Sequence, residues 1–380
     1  MLTEQASSQT PVENIRIFLS GDVMTGRGID QILPRPCQPK IYESYLTDAR
    51  DYIKIAEQKN GPIPRTVDYA YIWGDALTEW QRMKADIKII NLETSITQSD
   101  DYWKNKGINY RMHPQNIASL TCAQVDCCVL ANNHVLDWGY SGLTETLNTL
   151  QMANLKMVGA GQNQQQASAP AIIDVANKGR VLVFSFAHES SGVPSKWEAT
   201  AERAGVNLLK DLSGQSVKQI AQQVKQIKQS GDIVVFSVHW GGNWGYDIPP
   251  EQINFAHQLI DHAAVDVIHG HSSHHVKGIE IYQGKPILYG CGDFLNDYEG
   301  IGHYEAYRGD LALMYFLDMN PTTGKLQRLH CIPTQTKHFQ IHRAPPKEAD
   351  WLSAVVTREC AKFDVTVNRN ADHSLTILEP

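Results

Sequence analysis

An α/β fold is predicted for this 380-residue chain by three observations. Short apolar runs alternate with helical patterns along most of its length. Several of those runs end at once in aspartate, glutamate, asparagine or histidine. A hydrophobic content of 42% with 20% charged residues is that of an ordinary globular protein, long enough for one large domain or two ordinary ones.

The elements follow in order. Residues 1–14 form a polar tail. The first strand is Ile15-Arg16-Ile17-Phe18-Leu19, ending in Ser20-Gly21-Asp22; a carboxylate there is either a turn or cap residue, or chemistry at a strand end. A proline-rich stretch over residues 34–66, around a helix near Tyr42 to Gln58, reads as an insertion at the rim of the domain, shaping substrate access. A helix over 67–84 leads to the strand Asp86 to Ile90, which ends in Asn91-Leu92-Glu93. The strand Asp126 to Leu130 runs into Asn132-Asn133-His134 and Asp137, a dense polar group of which turns and caps account for only one or two members.

A helix over 141–152 and strands near 171–175 and 181–186 come next. The clearest helix carries Val217, Ile220, Ala221, Val224 and Ile227 on one stripe and stops at Gly231. The strand Asp232 to Val238 ends in His239-Trp240, and a helix over 250–263 leads to Val265 to Ile268. There the chain reaches His269-Gly270-His271-Ser272-Ser273-His274-His275, with four of its fifteen histidines in seven residues. Imidazole is neutral near pH 7 and a glycine lets rings converge, so the run is read as a metal site rather than a solvated loop. Hairpins over 278–289 and 311–332 flank the glycine-rich Gly290-Cys291-Gly292-Asp293. The domain is expected to close near residue 340, with a helix and hairpin over 341–380 packed on it.

A net charge of −7 argues against a nucleic-acid partner. The N-terminus lacks the pattern of a secretory signal, and no run approaches the roughly 18 apolar residues of a membrane span. Seven cysteines without a CxxC pair suit reduced thiols, so a cytoplasmic location is expected.

The strand-end residues Asp22, Glu93, Asn133, His134, His239, His271 and His274 lie far apart in sequence, but a doubly wound sheet gathers such ends on one edge. Their mixed nitrogen and oxygen donors suit one or two divalent ions of zinc, manganese or iron. Arg27 and Arg111 are candidate anchors for an anionic small-molecule or peptide substrate. Asn132, Trp240, Trp244 and Tyr246 are further candidates for the substrate wall.

The motifs FLSGDVMTGR, IINLETSIT, VLANNHVLDWG, SVHWGGNW and GHSSH, in this order, resemble the CapA or PGA-cap family of bacterial capsule synthesis, similar in fold to calcineurin-like metallophosphoesterases. The resemblance covers about Ile15 to Phe294 and implies a four-layer α/β/β/α sandwich with mixed sheets. It implies that Asp22 and His274 bind one metal, that Asn133, His239 and His271 bind a second, and that Glu93 bridges them. His134 would contact substrate or protonate the leaving group, with Asp137 orienting it. Met24 stands where the phosphoesterases have a metal-binding histidine, and His275, His303 and Asp293 are the candidates to complete that position. The implied activity is that of a metal-dependent hydrolase acting on a phosphoester, amide or peptide, of poly-γ-glutamate type among others. The alternatives are a peptide epimerase, using His134 with His239 or His274 as bases, and a non-catalytic scaffold in capsule polymer synthesis.

Overall fold

In the computed structural model, which describes residues 13–302 and 304–378, two large mixed sheets lie face to face. The first has ten strands. Its parallel half runs Lys156–Val158, Cys127–Val129, Ile87–Leu92 and Ile15–Val23. Leu311–Asn320 and Lys325–Lys337 then continue it antiparallel. The second has seven strands, with Gly179–His188, Asp232–His239, Val267–His271 and Lys285–Leu288 parallel at its centre.

Strand periodicity explains the layering, because successive side chains point to opposite faces. Ile15, Ile17 and Leu19 point inward with Ile87 and Ile89, and meet Val181, Val183, Ile233 and Val235 of the second sheet. Phe18 and Ile90 point outward, under the helices Asp75–Met83 and Gly139–Met152. On the far side, Leu182, Phe184, Val234 and Phe236 receive the helices Gly214–Ile227 and Pro250–His262. Strands buried on both faces read as unbroken apolar runs for this reason. The result is helices, sheet, sheet, helices: the α/β/β/α sandwich, built from two sheets where residue patterns alone pointed to one.

Two expectations shift. The 34–66 segment is no open rim: Ile41, Tyr52, Ile53, Ala56 and Ile63 are buried in the cluster on the first sheet's outer face. Its helix runs Arg50–Asn60, later than the sequence pattern placed it. At the other end, the hairpin of Thr366–Arg369 and Leu375–Leu378 joins the first sheet by pairing with Lys325–Lys337, while the helix Pro346–Cys360 packs Leu352 and Val356 onto the inter-sheet cluster. Most of the polar tail, residues 1–12, lies outside the described residues, as does His303.

One close approach fixes where the strand ends meet. Asp293–Leu295 pairs in parallel with the end of the first strand, setting Asp293 beside Asp22. The backbone N–H of Asp22 donates to the carbonyl of Gly292 at 2.9 Å. A Cβ on Gly21 would lie 1.7 Å from that carbonyl oxygen, so only glycine fits. Gly21→Ala is therefore expected to destabilise the protein by about 3 kcal/mol in urea unfolding. Gly242→Ala, where nothing lies within 4 Å of the added carbon, is the control and should stay within about 0.5 kcal/mol. Equal stability of the two variants would contradict this account.

Candidate metal centre

The parallel strands of both sheets end on one side of the sandwich, and their terminal side chains converge there. Two groups of potential ligands form, each with its donor atoms within 4.8 Å of one another. One is Asp22, His239 and His271; the other is Asp22, His274 and Asp293. All five residues are buried.

His239 and His271 are direct partners across adjacent parallel strands, so both rings leave the same face of the second sheet. Their Nδ1 atoms are 2.7 Å apart. A hydrogen-bond chain decides which of these nitrogens carry protons. His269 Nε2 donates to the Ser20 carbonyl at 2.7 Å, leaving its Nδ1 to accept from the Ser237 hydroxyl at 3.1 Å. The Ser237 oxygen in turn accepts from His271 Nε2 at 2.8 Å, so His271 Nδ1 is left with a lone pair. His239 Nε2 donates to the Asn133 amide oxygen at 3.1 Å, which leaves a lone pair on its Nδ1 too. Burial holds both rings well below the usual histidine range, so both are neutral. Two lone pairs facing each other at this distance repel unless a proton or a metal cation is held by them.

Asp22 Oδ1 accepts from Asn91 Nδ2 at 2.7 Å, but its Oδ2 is buried with no hydrogen-bond partner. Glu93 Oε2 is likewise buried without one, and Glu93 Oε1 stands 3.7 Å from Nε2 of both His134 and His239. Burial, reinforced by Asp293, pushes Asp22 up to about 7. Burial and then Asp22 push Glu93 well above the carboxylate range. Unpaired buried acids beside converging imidazole lone pairs are what a divalent cation satisfies. The donor set fits a metal.

The HGHSSHH run divides between ligation and support. His271 and His274 belong to the two groups, and Ser272 between them holds φ at 99°, a strained value that turns the chain between the two rings. His274 Nδ1 donates to Asp293 Oδ1 at 2.8 Å. Burial opposes a charge on His274, yet Asp293 and Asp22 hold it above its ordinary value. His269 is structural. His275 stacks on Trp244 and donates from Nδ1 to a neighbouring carbonyl, so of the candidates to complete the first position Asp293 is the one the fold delivers.

His134 Nδ1 lies 2.6 Å from Asp137 Oδ2 and 3.1 Å from Lys106 Nζ, and Asp137 Oδ1 pairs with Lys106 Nζ at 2.8 Å. Burial, with Lys106 second, keeps His134 neutral, while burial pushes Asp137 up to about 7. With Nδ1–H committed to Asp137, the lone pair of His134 is on Nε2, toward Glu93. Lys106 comes from a loop whose sequence carries no recognisable pattern.

Asp22 is the carboxylate common to both groups, and Glu93, expected as the bridge, lies beside them with Oε1 3.7 Å from Nε2 of both His134 and His239. Asn133 meets His239 with its amide oxygen. Asn132 lines no substrate wall: it is fully buried, donating to Asn91 and to the Leu92 carbonyl and accepting from the His134 backbone.

Arg27 is no free anchor. Its guanidinium is buried on Asp297, at 2.5 and 3.2 Å, and on Glu43 at 2.9 Å, over the Tyr52 ring. Arg111 is spent on Asp100, on the Ser99 and Gln38 carbonyls and on the Trp138 face. Trp240 is a core residue donating to the Tyr289 carbonyl. Trp244 is the aromatic beside the site, its ring centre 5.4 Å from that of His274.

Metal binding should therefore release protons. In the metal-free protein Asp22, pushed up to about 7, and His274, raised by Asp293 and Asp22, hold protons at pH 6 that a cation must displace; the neutral His239 and His271 add no such term. Affinity should fall by about tenfold per pH unit for each proton displaced as pH drops below about 7. Calorimetric titration with Mn²⁺ in buffers of different ionisation enthalpy measures it, and an affinity flat from pH 8 to 6 would count against the account.

Known proteins resemble this sequence. The profile of the family described as "Bacterial capsule synthesis protein PGA_cap" matches residues 16–298. A probable polyglutamine synthesis accessory protein of Mycobacterium tuberculosis is 44% identical over 365 residues, 96% of each chain. The PGA biosynthesis protein CapA of Bacillus subtilis is 25% identical over 346 residues, 90% of this chain and 76% of that protein. The capsule biosynthesis protein CapA of Bacillus anthracis is 25% identical over 289 residues, covering 75% and 60%. No helix among the described residues is long and apolar enough to cross a membrane. With the family profile spanning the parallel strands of both sheets and every strand end described above, the chain belongs to the PGA_cap (CapA) family, related in fold to the calcineurin-like metallophosphoesterases.

Proposed function

We propose that this protein is a metal-dependent hydrolase that cleaves an amide or phosphoester bond at the Asp22 centre, with His134 as its proton carrier. The observation that carries the reading is the pairing of two ligand groups on a shared Asp22 with one imidazole whose accepting nitrogen is free. Bound divalent ions of manganese, zinc or iron would supply positive charge for a developing oxyanion and make water acidic at neutral pH. His134 can take a proton at Nε2 and return it to the leaving atom, while Asp137 holds Nδ1–H and stabilises the imidazolium. Lys106 offsets the Asp137 charge behind it.

The geometry ranks this above the alternatives. Epimerisation needs two opposed bases, but His239 is committed to Asn133 and faces His271, and His274 is committed to Asp293. His239 and His274 also belong to the ligand groups, so a bound cation would engage their remaining nitrogens and leave Nε2 of His134 as the free base. A scaffold with a decayed site drew support from Met24, and Asp293 beside Asp22 removes much of that support. The polyglutamine and PGA named in the relatives' descriptions favour an amide in a glutamate polymer as substrate. With Arg27 and Arg111 paired internally, those descriptions rather than free arginines are the ground for an anionic substrate.

The test is a metal-loaded assay against a γ-glutamyl oligopeptide and a p-nitrophenyl phosphodiester, run in ¹⁸O-labelled and in heavy water. Cleavage that places one labelled oxygen in the product, without deuterium at the α-carbon, supports hydrolysis. Deuteration without cleavage overturns it in favour of epimerisation. His134→Ala should lower kcat by about a hundred- to ten-thousandfold with metal content unchanged.

A further inference from the structure

Met24 cannot do what a histidine does at its position, and the structure shows what stands nearby. Met24 is buried, with the Tyr298 hydroxyl 3.5 Å from its sulfur. Across the strand pair from Asp22, in register with it, is Asp293. Its Oδ1 meets His274 Nδ1 and its Oδ2 accepts from Asn296 Nδ2 at 3.0 Å. The steric demand at Gly21 holds this strand against the first one, so the juxtaposition is built into the backbone.

We infer that Asp293 takes the ligand position vacated at Met24, and that the two cation positions consequently differ in chemical preference. The inference rests on the two-cation reading above. The group of Asp22, His274 and Asp293 offers two carboxylates and one imidazole. The group of Asp22, His239 and His271 offers one carboxylate and two imidazoles with lone pairs already directed inward. Carboxylate oxygen favours harder ions such as Mn²⁺ or Mg²⁺, and imidazole favours Zn²⁺ or Fe²⁺. The unpartnered, buried Asp22 Oδ2 indicates that this carboxylate is not satisfied by the protein alone. The first position is thus the harder one, the second the softer.

Calorimetric titration of the full-length, metal-free protein with MnCl₂ and ZnCl₂ separately, together with Mn²⁺ electron paramagnetic resonance, tests this. The wild type should bind Zn²⁺ and Mn²⁺ together, one of each. Asp293→Asn should weaken Mn²⁺ by about tenfold or more and leave the tightest Zn²⁺ site unchanged. Met24→His added to Asp293→Asn should restore a second ion, now with Zn²⁺ preferred.

Unchanged Mn²⁺ affinity and stoichiometry in Asp293→Asn would overturn the inference and leave Asp293 as an orienting partner of His274, with the two-cation reading intact. A wild type that binds no cation would overturn both. If circular dichroism shows Asp293→Asn unfolded, Asp293→His decides by the same titration: a first position turned toward Zn²⁺ supports the assignment, and an unaltered preference refutes it.

Discussion

Unsatisfied charge and lone-pair density at the mouth between the two sheets is the constraint on which the rest of this structure depends. Asp22 and Glu93 each bury an oxygen without a partner, and His239 and His271 direct lone pairs at each other. Left to themselves such groups would change their rotamers until the repulsion was relieved. They are prevented from doing so by neighbours with no other evident task. Asn91 and Asn132 form an amide chain from Asp22 to the His134 turn, and Ser20, His269 and Ser237 fix the tautomer of His271. These supports are buried and hydrogen-bonded, so the centre is pre-organised by the protein itself.

A second buried network lies behind the first. Arg27 follows the Asp22 strand by a few residues, and its charge is neutralised by Asp297 and by Glu43 of the proline-rich segment, with Tyr52 and Tyr110 against its faces. Tyr110 also bonds Tyr298, whose hydroxyl meets Met24. Removing one member of such a buried pair typically costs 3–5 kcal/mol, roughly, because the other charge is left uncompensated. The 34–66 segment is therefore tied to the site's foundation through Glu43 and Tyr52. A hydrophobic face alone would not have required an acid at Glu43; a buried arginine does.

This explains which parts were legible in sequence. Apolar runs buried on both faces announce their strands, and a ligand-type residue at the end of such a run stands at the edge where strand ends gather; Asp22, His239 and His271 were legible as candidates on that ground. Layer number was not, since nothing in one strand says which of two stacked sheets it joins. Side-chain partners at long sequence separation were not either. Arg27 beside the GD motif looks like an anchor until Asp297, 270 residues on, is placed against it. Trp240 follows a strand-end histidine but points back into the helix-covered core, as the alternation of a strand requires for the residue next to an inward one. Lys106 lies in a loop where no periodicity could mark it.

The asymmetry of the centre follows from the same geometry. The second sheet contributes imidazoles because His239 and His271 are cross-strand partners at equal depth, so whatever binds between them meets two nitrogens. The first sheet contributes acids because its strands end in Asp22 and Asp293, again in register. Each pair is fixed by backbone pairing, not by side-chain flexibility, so neither can be exchanged for the other without a slip in the sheet, and a one-residue slip would turn every one of these side chains to the opposite face. The chemical difference between the two halves of the centre is thus a consequence of sheet register, with Asp22 common to both because its strand is the one that reaches both groups.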